Sequence, residues 1–338
     1  MIWTLRLSAL SLQISRRAVL TAALLFSVVL ATAVLALTLG SYPLSPADMR
    51  EILTGGGTAI QQMILLDHRM PRILTALGAG AAFGLSGALF QTMMRNPLAS
   101  PDVIGFNAGA SCGALVAMML TGGMVLPGAI VGALITASVV TLLAWSRGLP
   151  PYRLILTGVG ASLVLTALGD LLISRMDAQT AADMAQWLIG TLNARSWSDV
   201  ALVWGGLLLL APTLVWLHFP LTRLGMADDI ATGLGMALSP LRLALTGTGI
   251  LLAALAVSTA GPLPFVAFAA GPIARRLIPN GRPVLLAAAA TGALITLLAD
   301  TAARAVPMIQ LPAGVFSALI GAPVLICLLL AQFRKGTL

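Results

Sequence analysis

A chain of 338 residues that is 59% hydrophobic and only 9% charged has too little polar surface to coat a soluble globule, so its solvent is largely lipid. The formal charge of +8 does not read as a nucleic-acid surface: the 19 basic residues, all Arg except Lys335, fall in ones and twos between apolar runs, as in short membrane loops. Cys112 and Cys327 sit inside apolar runs and support neither a disulfide framework nor a metal site.

The first apolar run, Ala18 to Leu39, follows Arg16 and Arg17. It exceeds the roughly 7 to 15 apolar residues of a secretory signal and reads as a retained span, with residues 1–17 a cytoplasmic N-terminal segment. A hydrocarbon core of about 30 Å takes roughly 20 residues per helical crossing. On that measure ten spans are predicted, near 18–39, 73–94, 103–120, 124–145, 154–173, 200–217, 243–260, 263–274, 284–303 and 313–333. They form one membrane domain over 18–333, and it is all-α. Lipid-exposed backbone must bond to itself, and these runs are too long and unbroken for barrel strands. The eighth run is interrupted by Gly261, Pro262, Pro264, Gly271 and Pro272 and predicts a broken or kinked helix packed inside the protein.

With the N-terminus inside, thirteen basic residues (Arg6, Arg16, Arg17, Arg95, Arg147, Arg153, Arg223, Arg242, Arg275, Arg276, Arg282, Arg334 and Lys335) fall on the cytoplasmic side. Six (Arg50, Arg69, Arg72, Arg175, Arg195 and Arg304) fall outside, which places both termini in the cytoplasm. Glycines clustered within spans, as at Gly78, Gly80, Gly84 and Gly87, predict close helix packing. Trp145, Trp187, Trp197, Trp204 and Trp216 lie near span ends as interfacial anchors.

Catalytic signals are few. With Lys335 the only lysine, no Gly-rich phosphate loop ending in Gly-Lys-Ser/Thr exists, so the chain is not read as an enzyme and carries no cofactor signal. His68 and His218 fall in predicted loops without metal-ligand spacing, and Ser86 and Ser111 read as packing residues. Asp170 and Asp300 lie within spans but near the outer end, which weighs against an ion-coupled carrier. Arg304, four residues on, is the expected partner of Asp300. The connection at about 218–242 is long for a hairpin; Asp228 and Asp229 suit the start of a short helix there, and Gly233 and Gly235 its end.

Three stretches then resemble a known family: Arg69-Met70-Pro71-Arg72; Gly80 through Gln91; and Arg95-Asn96-Pro97-Leu98-Ala99-Ser100-Pro101-Asp102-Val103-Ile104-Gly105. They are joined by Leu234-Gly235, Gly261-Pro262, Ile273-Ala274-Arg275-Arg276, Leu311-Pro312 and Gly321-Ala322-Pro323. The pattern, over residues 69–331, is similar to that of FecCD/BtuC-type permease subunits of ABC importers for iron-siderophores, haem and cobalamin. The run from Ser100 to Asn107 looks closest to catecholate (ferric-enterobactin) siderophore permeases.

The resemblance implies a type II importer permease of about ten helices in the cytoplasmic (inner) membrane. Its partners are separate ATPase subunits, a second permease, with a heterodimer favoured over a homodimer, and a siderophore-binding protein. Arg69, Arg72 and Arg304 match outward arginines that pair with acidic groups of the binding protein, although interfacial snorkelling also accounts for them. Asn96, Pro97 and Leu98 match the border of the cytoplasmic gate, or are simply the turn that starts the next helix. Gly225, Asp228, Asp229, Ala231, Leu234 and Gly235 fall on the helix that carries ATPase movement into the membrane. Gly271-Pro272 stands where many members have Pro-His, so no role of that histidine transfers. A haem or cobalamin permease of the same family, or an ion-coupled secondary carrier, are the alternatives.

Overall fold

The computed structural model describes residues 2–7, 10–40, 42–146, 150–226, 228–278, 284–306 and 311–333. Of the residues counted for orientation, Arg147, Arg282, Arg334 and Lys335 lie outside these. Ahead of the helical body, β1 (Ile2–Leu7) and β2 (Leu10–Ser15) pair antiparallel, in a segment to which hydropathy assigns no element.

The membrane body is all-α, and ten helices answer the ten apolar runs: α1 (Arg16–Thr38), α4 (Met70–Met93), α5 (Phe106–Thr121), α6 (Val125–Ala144), α7 (Pro151–Ile173), α9 (Trp197–Leu221), α11 (Leu238–Ala260), α12 (Val266–Leu277), α13 (Leu285–Ala305) and α14 (Ala313–Phe333). Among the described residues, seven helices are individually long and apolar enough to cross a membrane. Four short helices have no counterpart among the runs: α2 (Pro46–Leu53), α3 (Ala59–Gln62), α8 (Ala178–Ile189) and α10 (Asp228–Gly233). α2 and α8 are amphipathic: Met49, Ile52 and Met184 are buried, while Arg50, Glu51, Gln179, Asp183 and Gln186 are exposed.

Helical structure from Ala59 to Met93 is continuous, since α3 runs through a π-helical segment, Met63–Arg69, into α4. His68 therefore sits in helix rather than in a loop, and so does His218, because α9 continues to Leu221. The connection expected over 218–242 is correspondingly shorter, from the end of α9 to Leu238.

α4 is the central rod, packed by α11, α12 and α13. Its small residues set how closely they approach: a Cβ on Gly80 would strike the Gly292 backbone, one on Gly84 the Ala288 carbonyl, and one on Gly87 the Ala267 carbonyl. Ser86 Oγ adds a buried donor to the Gly249 carbonyl at 2.6 Å.

The eighth run is broken, as its Gly and Pro residues predict. α12 has twelve residues, about 18 Å of rise against a core of about 30 Å, and its start lies against Gly87, in the last turns of α4. Ahead of α12, Gly261–Phe265 is non-helical. Its backbone is placed inside protein, where Ser317 Oγ donates to the Pro264 carbonyl at 2.9 Å.

Candidate functional site

α4 joins two charged ends of the molecule. At its start, Arg72 lies beside Asp300 in the last turns of α13, with Nη2 to Oδ1 at 2.7 Å and Nε donating to both carboxylate oxygens. Arg304 meets Asp300 Oδ2 at 3.2 Å, the i,i+4 pairing read from the sequence. Arg72, 228 residues away in sequence, is the partner that reading missed. Asp300 is fully buried between the two guanidinium groups.

Arg304, together with Arg69, also closes α1. The last carbonyls of a helix have no partner within it and take cations well. Arg69 Nη1 donates to the Leu37 carbonyl at 2.6 Å and Nη2 to that of Tyr42, while Arg304 Nη1 donates to the carbonyls of Ala36 at 3.3 Å and Leu39 at 3.2 Å. Gly40 (φ +156°) passes so near the Arg69 guanidinium that a Cβ would collide with it. Arg69 is therefore buried and committed to the end of α1, whereas Arg72 and Arg304 keep 17% and 14% of their side chains exposed. Arg195, which the sequence entered only in the charge count, pairs with Asp199 at 3.7 Å and lies close enough to feel the charge of Arg72. Burial holds its guanidinium below the usual arginine range. In this cluster four arginines, Arg69, Arg72, Arg195 and Arg304, gather around two carboxylates, Asp199 and Asp300.

At the other end, α4 stops with Arg95 in the left-handed region (φ 50°) and the Asn96 N–H on the Gln91 carbonyl. Asn96 Oδ1 accepts from the Leu98 N–H at 2.9 Å, so Asn96 is an exposed turn residue, with Pro97 and Leu98 half-buried beside it. Arg95 reaches across to the α9–α11 connection, giving Nε to the Leu224 carbonyl at 2.7 Å and Nη2 to Asp228 at 2.6 Å. Arg242, in the second turn of α11, also holds Asp228, at 2.8 Å. One carboxylate thus fastens α10 to α4 and α11 together. Burial pushes the Asp228 carboxyl up, but the hydrogen bonds and charges of Arg242 and Arg95 outweigh it and hold it below the usual carboxylate range.

Around that anchor, Ala231 is buried, Gly235 (φ +82°) turns the chain towards α11 in a conformation that favours glycine, and Gly225 lies in the turn after α9. Asp229 sits in the first turn of α10. Ile230 and Leu234, one turn apart, are exposed together with Met226. An apolar face on a polar connection fits a protein partner.

Gln91, one turn before Arg95, ties α4 to α12. Pro272 has no N–H, so the Phe268 carbonyl four residues earlier lacks its helical donor. Gln91 Nε2 supplies one at 2.9 Å, and Gly271 leaves room for it, because a Cβ there would meet Gln91 Oε1. That Oε1 accepts from Arg275 Nη2. The sequence marked the helix break and gave no sign of this repair.

Two cavities adjoin these elements. The larger, about 600 Å³, lies between α5, α7, α8, α14 and the 262–264 segment, with Asn107, Ser111, Thr166 and Asp170 among its lining residues. Asn107 Oδ1 is buried there without a hydrogen-bond partner among the described residues. The smaller, about 390 Å³, lies beneath the end of α4.

Residues 27–331 match the model of the FecCD transport family. The chain belongs to the FecCD transport family. Among its relatives, the ferric enterobactin transport system permease protein FepG of Escherichia coli (strain K12) is 37% identical over 326 residues, covering 95% of this chain and 99% of FepG. The achromobactin transport system permease protein CbrC of Dickeya dadantii (strain 3937) is 34% identical over 339 residues, covering 98% and 97%. In three dimensions the chain is similar to a solved metal-chelate type ABC transporter in an inward-facing conformation, with a TM-score of 0.83 at 29% identity over 92% of this chain and 98% of that one. FecCD membership and this likeness agree with a multi-pass, all-α membrane protein whose relatives are permease subunits.

Proposed function

We propose that this chain is a transmembrane permease subunit of an ABC importer that moves ferric siderophore across the cytoplasmic membrane. ATP hydrolysis belongs to a separate subunit, and both termini of this chain are cytoplasmic. FecCD membership over nearly the whole chain supports the class, and relatives named for ferric enterobactin and achromobactin transport support the cargo. The observation that carries the mechanism is the single carboxylate of Asp228, held by both Arg95 and Arg242. It is the point at which a push on α10 reaches α4 and α11 at once. In this reading Gly225, Asp228, Asp229, Ala231, Leu234 and Gly235 form the ATPase-coupling element, with Ile230 and Leu234 as its contact face, and Asn96, Pro97 and Leu98 border the cytoplasmic gate beside it.

The opposite end, through the arginine cluster around Asp300, faces an acidic surface of the siderophore-binding protein. Arg72 and Arg304 present the charge, and Arg69 fixes the end of α1 next to them. The larger cavity is this chain's half of the path, completed by a second permease, which we take to be a different chain.

Arg304→Gln leaves Asp300 paired with Arg72. It is expected to weaken binding-protein docking severalfold and to lower its salt dependence, measured by surface plasmon resonance on nanodiscs. Unchanged affinity in Arg304→Gln, in Arg72→Gln and in the double variant removes the docking assignment.

A further inference from the structure

The smaller cavity is walled by Gln91, Arg95, Pro97, Thr222, Gly225 and Arg275, among others. Among the described residues its only charged lining groups are the two guanidinium groups. Arg95 is paired with Asp228. Arg275 has no Asp or Glu at ion-pair distance among the described residues, and its bond to Gln91 Oε1 engages a neutral amide. That amide is itself fixed on the Phe268 carbonyl freed by Pro272. Arg275 is therefore anchored at the cavity wall with its charge uncompensated, and a half-buried cation in that condition favours an anion that brings hydrogen-bond acceptors.

We propose that this cavity is a socket for a carboxylate side chain of the ATP-hydrolysing subunit, seated between Arg275 and Arg95. The proposal rests on the reading of α10 as that subunit's docking element. Three of the wall residues, Thr222, Gly225 and Pro97, belong to the coupling connection and the gate turn, beside the exposed Met226, Ile230 and Leu234 that the same subunit would cover. The deeper wall is Ala88 and Gln91 of the central helix, not a lipid-facing surface, so a side chain from a docked protein fits better than a phospholipid headgroup trailing its chains.

The test uses the assembled permease, this chain with its second permease, in phosphatidylcholine vesicles with and without phosphatidylglycerol. The affinity of the ATPase subunit is measured for the wild type, Arg275→Gln, Arg275→Glu and the exposed neighbour Arg276→Glu. The Kd is expected to rise at least tenfold for Arg275→Glu and severalfold for Arg275→Gln in both lipids, and less than twofold for Arg276→Glu. One acidic-to-Lys exchange on the ATPase subunit should restore Arg275→Glu.

Unchanged affinity in both Arg275 variants, an equal loss in Arg276→Glu, or a loss confined to vesicles with phosphatidylglycerol overturns the socket, the last by making it a lipid-phosphate site. Should neither Arg275 variant keep the wild-type melting temperature, phenylglyoxal labelling of the wild type decides: protection of Arg275 on ATPase binding supports the socket, and labelling at the same rate overturns it. A wild-type permease that binds no ATPase subunit overturns the reading of α10 as well, which separates the two failures.

Discussion

Asp300 shows how far a single buried charge can be read from sequence. Its pairing with Arg304 follows from i,i+4 spacing. Its second partner, Arg72, follows from nothing local, because the fold alone brings the start of α4 to the end of α13. Asp300→Asn leaves two largely buried guanidinium groups without their anion and is expected to cost about 3–5 kcal/mol, seen as a large loss of melting temperature in detergent. Gln91→Leu strands the Phe268 carbonyl and is expected to cost about 1–3 kcal/mol. Pro272→Ala returns the missing N–H, so the Gln91→Leu penalty should shrink in that background; a penalty of the same size in both backgrounds contradicts the repair.

Asp102, in the 3₁₀ turn Pro101–Ile104, is pushed up to about 6 by burial, with the Ser100 hydroxyl pulling the other way. Its carboxyl keeps its proton in the fold where the unfolded chain has lost it, so its contribution to stability falls as pH rises from the ordinary carboxylate value, about 4, to about 6 and is flat above. Asp102→Asn is expected to remove that slope from melting temperatures taken across the range, and an unaltered slope contradicts the assignment.

Among the helices, those that were legible are those that lipid dictates. Ten apolar runs became ten helices, and the Gly and Pro residues around 261–272 marked the broken one. α2 and α8 escaped because a short amphipathic helix lying on the body has no apolar run to betray it. His68 and His218 were misplaced because helix can continue past the end of an apolar run, as α9 does to Leu221. Trp197 and Trp204, legible only as interfacial anchors, also donate to the carbonyls of Leu66 at 3.0 Å and Leu74 at 3.1 Å, tying α9 to the π segment and α4. Close packing was visible in the glycines, but their partners were not. Gly87→Ala would force its Cβ into the Ala267 carbonyl, so α12 must shift; a loss of about 1–3 kcal/mol is expected, against almost none for Gly160→Ala, where nothing lies within contact distance.

The two charged ends of α4 give the molecule its logic. Arg72, Arg195 and Arg304 gather at one end and Arg95, Arg242 and Arg275 at the other. What the chain could not disclose is that Asp228 draws three elements onto one carboxylate, because Arg95 and Arg242 stand on opposite sides of it in sequence. That tie rests on an ionised carboxylate held below its ordinary range, so it persists through neutral pH and is lost only as pH falls through that depressed value. Asp228→Asn should therefore uncouple hydrolysis from uptake at neutral pH while sparing assembly.

The measurement that bears most directly on the account is ATP-dependent uptake of ferric siderophore into proteoliposomes. The chain alone is expected to show neither ATPase activity nor uptake under a proton gradient, and uptake should appear only when the second permease, the ATPase subunit and the binding protein are supplied together with ATP. Uptake by the chain alone, driven by a proton gradient and indifferent to ATP, would contradict it.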